Sequence, residues 1–386
     1  MKNFDFYNPT HIAFGKDRIG DLSSLVPAAA KVLILVGGAS AEKTGTLAEV
    51  RQALGARTHS TFSGIEPNPS FDTAMKAVQM VRAQGFDFLL AVGGGSVIDA
   101  TKFIAAAVPF EGDAWDILRK GGSNIAQALP FGVVLTLPAT GSEMNNGAVI
   151  TRHDIGAKLP FRSPHLFAKF AVLDPTKTYT LPARQLANGV VDAFVHTMEQ
   201  YLTYPANAPV QDRFAEGLLQ TLIEIGPRLL NATEPDYDDR ASLTWAATLA
   251  LNGLIGAGVP QDWATHMIGH ELTAQYNIDH ARTLAIVLPA MLQEKRTQKH
   301  AKLLQYGQRV WGIHSGSDEQ RITAAIDATR DFFERMGLPT RLSAYDLGSD
   351  AIDLVLKQLE SHGMTQLGEH GDVTPAVSRR VLVAAL

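Results

Sequence analysis

The chain of 386 residues has no cysteine. That absence excludes disulfide frameworks, thiolate nucleophiles, Cys-ligated zinc and iron–sulfur clusters, so any metal must sit on His, Asp or Glu. It also fits a reducing compartment. A strong charge of one sign is missing too. The 34 Lys and Arg against 39 Asp and Glu leave a net charge of −5, which gives no global attraction to nucleic acid or to a membrane surface. Long apolar runs are absent: the stretch from Leu284 to Leu292 covers about half of the ~20 residues a bilayer crossing needs. The opening MKNFDFYNPTHIAFGK holds no apolar stretch of signal-peptide length. The expectation is a cytoplasmic protein whose partners include neither membrane nor nucleic acid. With 46% hydrophobic and 19% charged residues, and 33 Gly and 19 Pro without a repeating period, disordered, collagenous and low-complexity classes are excluded as well.

What is present changes character near the middle. A length of 386 residues at ~150 per domain suggests two to three domains. The first half alternates strand-like and helix-like stretches. KVLILV (31–36), DFLLAV (87–92) and FGVVLTL (131–137) are continuous apolar runs, as expected of parallel strands covered on both faces. Between them, helices are expected over 46–54, over 71–84 with Ser70 as N-cap and Gly85 as stop, and from Val97 to about Val108. This predicts a doubly wound, mostly parallel α/β domain over 1–182. Phe4–Tyr7 and His11–Phe14 suggest an N-terminal hairpin that could pair in the sheet or across a dimer edge. From 183 to 386 the strand signal disappears. Helical periodicity marks 183–203, 209–231, 238–256, 260–276, 280–295, 297–312, 319–337 and 350–362, which predicts an all-α second domain.

Two constellations carry chemistry. The first is Gly93-Gly94-Gly95-Ser96-Val97-Ile98-Asp99, a strand that runs into three glycines and opens a helix. Such a turn lets a pyrophosphate approach the backbone and meet free N–H groups at a helix start. Ser96 can cap the helix or donate to phosphate, and Asp99, in the first helical turn, can bond a ribose or a nicotinamide amide. A tight strand–helix turn with a capping Ser accounts for the same residues. The motif is not G-x-G-x-x-G, so the usual Rossmann fingerprint does not apply. Two further loops favour nucleotide binding: Gly37-Gly38-Ala39-Ser40, and the segment holding Thr136, Thr140 and Asn145 at another strand end, the edge where open α/β sheets bind ligands. Lys158 and Tyr179 complete the candidate cofactor set.

The second constellation lies in the helical half. Asp192 and His196 are i and i+4 on one helix, His266 and His270 are i and i+4 on another, and His280 follows. A carboxylate with several imidazoles on rigid helices suits a divalent transition metal. Asp192 stands among Val190, Val191, Ala193 and Phe194, where a carboxylate is costly unless paired or metal-bound. The remaining histidines, His362 among them, show no comparable pairing.

The order GGGSxxD, TGSE, D-x3-H and H-x3-H-x9-H resembles the iron-containing (group III) alcohol dehydrogenases over essentially the whole chain, and most of all their butanol dehydrogenase-like branch with its NADPH-dependent aldehyde reductases. The resemblance implies an N-terminal dinucleotide-binding domain and an all-helical metal-binding domain with the active site in the cleft between them. It implies Asp192, His196, His266 and His280 as ligands of Fe²⁺ or Zn²⁺, and His270 as a catalytic residue beside nicotinamide and substrate. The implied reaction is reversible hydride transfer between NADP(H) and short-chain aldehydes or primary alcohols, by a homodimer or higher homo-oligomer. The strand ending at Val36-Gly37-Gly38 carries no acid. Since NAD-preferring sites use one to bond both ribose hydroxyls, NADP(H) is expected over NAD(H). Rival readings are a dehydroquinate synthase-like or glycerol dehydrogenase-like enzyme of the same plan, a metallohydrolase using the Asp/His cluster to activate water, and a non-catalytic nucleotide-binding module.

Overall fold

The computed structural model describes all 386 residues and divides into two compact units. One consists of Tyr7–Leu181 and Pro235–Thr248, the other of Met1–Phe6, Pro182–Glu234 and Leu249–Leu386.

The first unit runs β1 (His11–Phe14), α1 (Leu22–Leu25), β2 (Val32–Val36), α2 (Ser40–Lys43), α3 (Thr46–Leu54), β3 (His59–Phe62), α4 (Phe71–Gln84) and β4 (Phe88–Gly94). It continues with α5 (Gly95–Ala107), α6 (Asp116–Arg119), β5 (Phe131–Leu137), β6 (Gly147–Arg152), β7 (Ala157–Arg162) and β8 (Phe170–Leu173). Six strands form one all-parallel sheet in the order β1-β8-β5-β4-β2-β3. Alternate residues of β2 and β4 enter different cores. Leu33, Leu35, Leu89 and Ala91 join one cluster, while Val32, Ile34, Val36, Phe88, Leu90 and Val92 join another. With both faces covered, polar alternation has no place in these strands. Strand order reverses between β2, which continues outward to β3, and β4, which continues the other way to β5. Their carboxyl ends therefore flank a topological switch point, where doubly wound sheets bind ligands.

α4 has the expected ends. Ser70 Oγ accepts the N–H of Thr73 at 3.2 Å, and Gly85 closes the helix at φ 68°. The N-terminal hairpin does not form. β1 pairs parallel with β8 in the register His11↔Phe170, and Met1–Phe6 belongs to the other unit, where Lys2 N–H donates to Gly258 O at 2.8 Å.

The second unit is helical: α7 (Ala183–Tyr201), α8 (Pro209–Asn231), then, after α9 (Tyr237–Ala250), α10 (Ala264–Tyr276), α11 (His280–Glu294), α12 (His300–Val310), α13 (Asp318–Arg335), α14 (Ser349–Ser361) and α15 (Pro375–Ala384). Most of α9 belongs to the α/β unit. There Trp245 packs edge-on against Phe14 with centroids 6.0 Å apart, and Arg240 Nη1 donates to Thr178 O at 2.6 Å. α10 starts later than its periodicity suggests. Trp263 is left-handed at φ 64°, and Asp262 Oδ1 accepts the N–H of Ala264 at 3.0 Å. No helix is long and apolar enough to cross a membrane.

Candidate active site

The strand ends of the α/β unit show why three glycines follow β4. A Cβ on Gly93 would lie 2.5 Å from Val97 Cγ2, one on Gly94 3.0 Å from Leu137 Cβ, and one on Gly95 2.5 Å from Thr140 Oγ1. Packing against Val97, Leu137 and Thr140 leaves little room for side chains on these glycines, so the tight turn itself is borne out, without the expected capping Ser. It leaves the nucleotide reading open, because α5 is capped by Gly94 with no side-chain hydrogen bond, and its first N–H groups remain available to an anion. Ser96 is therefore not a cap. Gly38 differs from the rest: a Cβ there meets nothing within 4 Å, whereas one on Gly37 would lie 3.1 Å from Ile65 O. Gly38 and Ser40 are both exposed.

Asp99 departs from its expected role. α5 begins at Gly95, so Asp99 lies beyond the first turn. Its Oδ1 accepts from Ser142 Oγ at 2.6 Å and its Oδ2 from Val149 N–H at 2.9 Å. Burial raises this carboxyl, opposed first by the nearby charge of Lys102. Sequence reasoning missed Lys102. It is fully buried, and its Nζ donates to Ser142 Oγ at 2.9 Å, Asn145 Oδ1 at 2.9 Å and Gly147 O at 2.6 Å. Burial lowers it to about 8, against the pull of Asp99 and Glu143. Asn145 is likewise committed to its loop, with Nδ2 donating to Gly141 O at 2.9 Å. Thr140 Oγ1 accepts the N–H of Ser142 at 3.2 Å. Asp99, Asn145 and Thr140 thus shape the strand-end loops from within. Buried Lys158 donates to Asn68 Oδ1 at 2.9 Å. Thr136 and Tyr179 are half-buried, and desolvation raises the Tyr179 hydroxyl.

In the helical unit the second constellation converges. Asp192, His196, His266 and His270 are all buried, and His280, the first residue of α11, is half-buried. One ligand atom from each of Asp192, His196 and His266 lies within 4.8 Å of the other two. Asp192 Oδ1 is 3.6 Å from His196 Nδ1 and 3.7 Å from His280 Nε2. The His266 ring stacks on that of His196, centroids 4.5 Å apart, and stands 5.2 Å from that of His280. The His270 ring lies 5.1 Å from His280 and 6.1 Å from His266. Burial lowers the His196 imidazole to about 4, so at neutral pH it is uncharged and has a lone pair to offer. A carboxylate and imidazoles converging in a buried site fit a divalent transition metal.

Two partners were not foreseen. Glu199 follows Asp192 and His196 on the same face of α7. Its Oε2 is hydrogen-bonded to His266 Nδ1, and its Oε1 accepts the N–H of Thr265 at 2.7 Å. Burial, then the charge of Asp262, pushes this carboxyl well up. The spacing Asp192, His196, Glu199 was the available signal. His362, expected to be surface or structural, bonds through Nδ1 to the fully buried Glu271 at 2.7 Å, and that bond raises its imidazole.

Two family models match the chain: iron-containing alcohol dehydrogenase over residues 9–175, and the C-terminal model of the Fe-containing alcohol dehydrogenase family over 186–366. The chain belongs to the iron-containing alcohol dehydrogenase family. Within the family it is 61% identical to the NADPH-dependent aldehyde reductase YqhD of Escherichia coli K12, over 100% of both chains. It is 41% identical to the probable NADH-dependent butanol dehydrogenase 1 of Bacillus subtilis, over 94% of this chain and 95% of that one. A crystal structure of E. coli K-12 YqhD superposes with a TM-score of 0.99 at 60% identity, covering 100% of this chain and 99% of that one. Membership makes the protein an oxidoreductase of alcohols and aldehydes.

Proposed function

We propose that the enzyme reduces short-chain aldehydes with NADPH, reversibly, at a divalent metal held by Asp192, His196, His266 and His280. The observation that carries this reading is the buried convergence of Asp192, His196 and His266, with His280 Nε2 3.7 Å from Asp192 Oδ1. When bound, the metal supplies Lewis-acid polarisation of the carbonyl and the reduced nicotinamide supplies the hydride. The chain's own residues bind and orient. Uncapped N–H groups at the start of α5 and the backbone at Gly37-Gly38 receive the cofactor's phosphates. The Lys102–Ser142–Asp99 chain of hydrogen bonds keeps the adjoining loop in one shape. His270, buried beside His266 and His280, is assigned to the substrate and to the proton that ends the reaction.

The open side at Gly38 supports NADP(H): no acid stands there to repel a 2′-phosphate, and the Ser40 hydroxyl is exposed beside it. The NADPH-dependent aldehyde reductase at 61% identity supports the same choice. The test mixes enzyme with NADPH or NADH and a series of short aldehydes and follows absorbance of the reduced cofactor. Higher kcat/KM with NADPH is expected; higher kcat/KM with NADH overturns the cofactor assignment. Elemental analysis of protein purified without added metal distinguishes Fe²⁺ from Zn²⁺.

A further inference from the structure

The metal site has a partner behind it that neither the motif spacing nor the ligand set includes. Glu199 stands one turn beyond His196 on α7, with its side chain buried. Three contacts fix it against the start of α10. Its Oε1 accepts the N–H of Thr265 at 2.7 Å, its main-chain O accepts the N–H of Asp262 at 2.9 Å, and its Oε2 is hydrogen-bonded to His266 Nδ1. Asp262 in turn accepts the N–H of Ala264, the first residue of α10, and accepts from the buried Lys299 Nζ at 2.8 Å. Both carboxylate oxygens are thus held by the helix that Glu199 serves.

We infer that Glu199 is a positioning residue for the metal site: its carboxylate accepts the hydrogen bond of His266 Nδ1–H, fixes that tautomer and ring orientation, and so aims the Nε2 lone pair at the position shared by Asp192 and His196. The inference rests on the metal reading above. Imidazole has one lone pair when neutral, so a proton held on Nδ1 leaves Nε2 as the ligand atom. A carboxylate acceptor also raises the basicity of the ligating nitrogen, and loss of such a partner typically weakens metal binding about 10–100-fold. Of the histidines at this site, His266 is the one bonded to Glu199, so its geometry is the one that depends on this residue.

The experiment has two arms. In the first, wild-type, Glu199→Gln, Glu199→Asp and Asp192→Ala proteins are titrated with Zn²⁺ against a competing chelator, and Co²⁺ forms are compared by their visible spectra. Expected are a 10–100-fold weaker Zn²⁺ affinity and an altered Co²⁺ spectrum in Glu199→Gln, partial recovery in Glu199→Asp, and a far larger loss in Asp192→Ala. Unchanged affinity and spectrum in Glu199→Gln, with Asp192→Ala impaired, overturns the role of Glu199 alone. Unchanged affinity in Asp192→Ala overturns the metal reading with it. The second arm needs no variant of Glu199: long-range ¹H–¹⁵N spectra of histidine-labelled wild-type protein, with His266 assigned by its absence in His266→Asn, report the tautomer. A proton on Nδ1 is the expected result, and a proton on Nε2 overturns the proposal.

Discussion

A side chain at Gly38 points into open space, whereas at Gly37 it presses within 3.1 Å of a backbone oxygen. The two glycines are therefore not equivalent sites for changing the cofactor. Gly38→Asp introduces a ribose-hydroxyl acceptor and a charge like that of a 2′-phosphate without disturbing packing. It should move the NADPH-to-NADH ratio of kcat/KM toward NADH by about tenfold or more, equivalent to ~1.4 kcal/mol. An unchanged ratio places cofactor choice elsewhere. His270 is a second single-residue test. It shares a face of α10 with His266, their rings 6.1 Å apart. His270→Ala should lower kcat about 10²-fold, the scale of a lost general acid, with metal content retained. Loss of the metal along with the rate would make His270 a ligand instead.

At the scale of elements, glycine-rich loops are packed surfaces as much as binding surfaces. Gly95→Ala forces a methyl to 2.5 Å from Thr140 Oγ1, and overpacking of this kind costs about 1–3 kcal/mol. Denaturant unfolding should show that loss, together with a raised KM for NADPH, while Gly38→Ala leaves stability unchanged. α10 is held a second time through Glu271, whose bond to His362 raises that imidazole above its usual 6.5. A raised folded-state pKa stabilises fully below about pH 6.5 and loses its effect as pH climbs through the raised value. The stability difference between wild type and His362→Gln should accordingly be largest in acid and shrink on raising the pH; a difference that grows with pH contradicts the pairing.

The same elements explain how much was legible beforehand. β2, β4 and β5 are apolar on both faces because both faces are buried, and a local pattern reports that directly. β3, His-Ser-Thr-Phe at a sheet edge and half-buried throughout, has no such pattern and went unseen. So did the β6–β7 hairpin, and so did α15, which Thr374 caps. In the site, pairs four residues apart on one helix were visible. The commitment of Asp99 to Ser142, 43 residues away, and of Glu199 to His266, 67 residues away, depends on tertiary packing that no window of sequence contains.

At the scale of the whole molecule, the parallel sheet is bounded by two short edge strands, β1 and β3. β1 leaves one side open to pairing. A homodimer or higher assembly is expected, and light scattering at micromolar concentration checks it, with a purely monomeric mass counting against it. Metal-dependent reduction of an aldehyde by NADPH is the reaction proposed for Asp192 and its histidines. Its most direct test is NADPH oxidation with a short aldehyde, measured on chelator-stripped enzyme before and after adding Fe²⁺ or Zn²⁺, with Asp192→Ala alongside. Turnover should disappear on stripping, return with metal in the wild type and not return in Asp192→Ala; undiminished turnover by metal-free enzyme would rule out the metal mechanism.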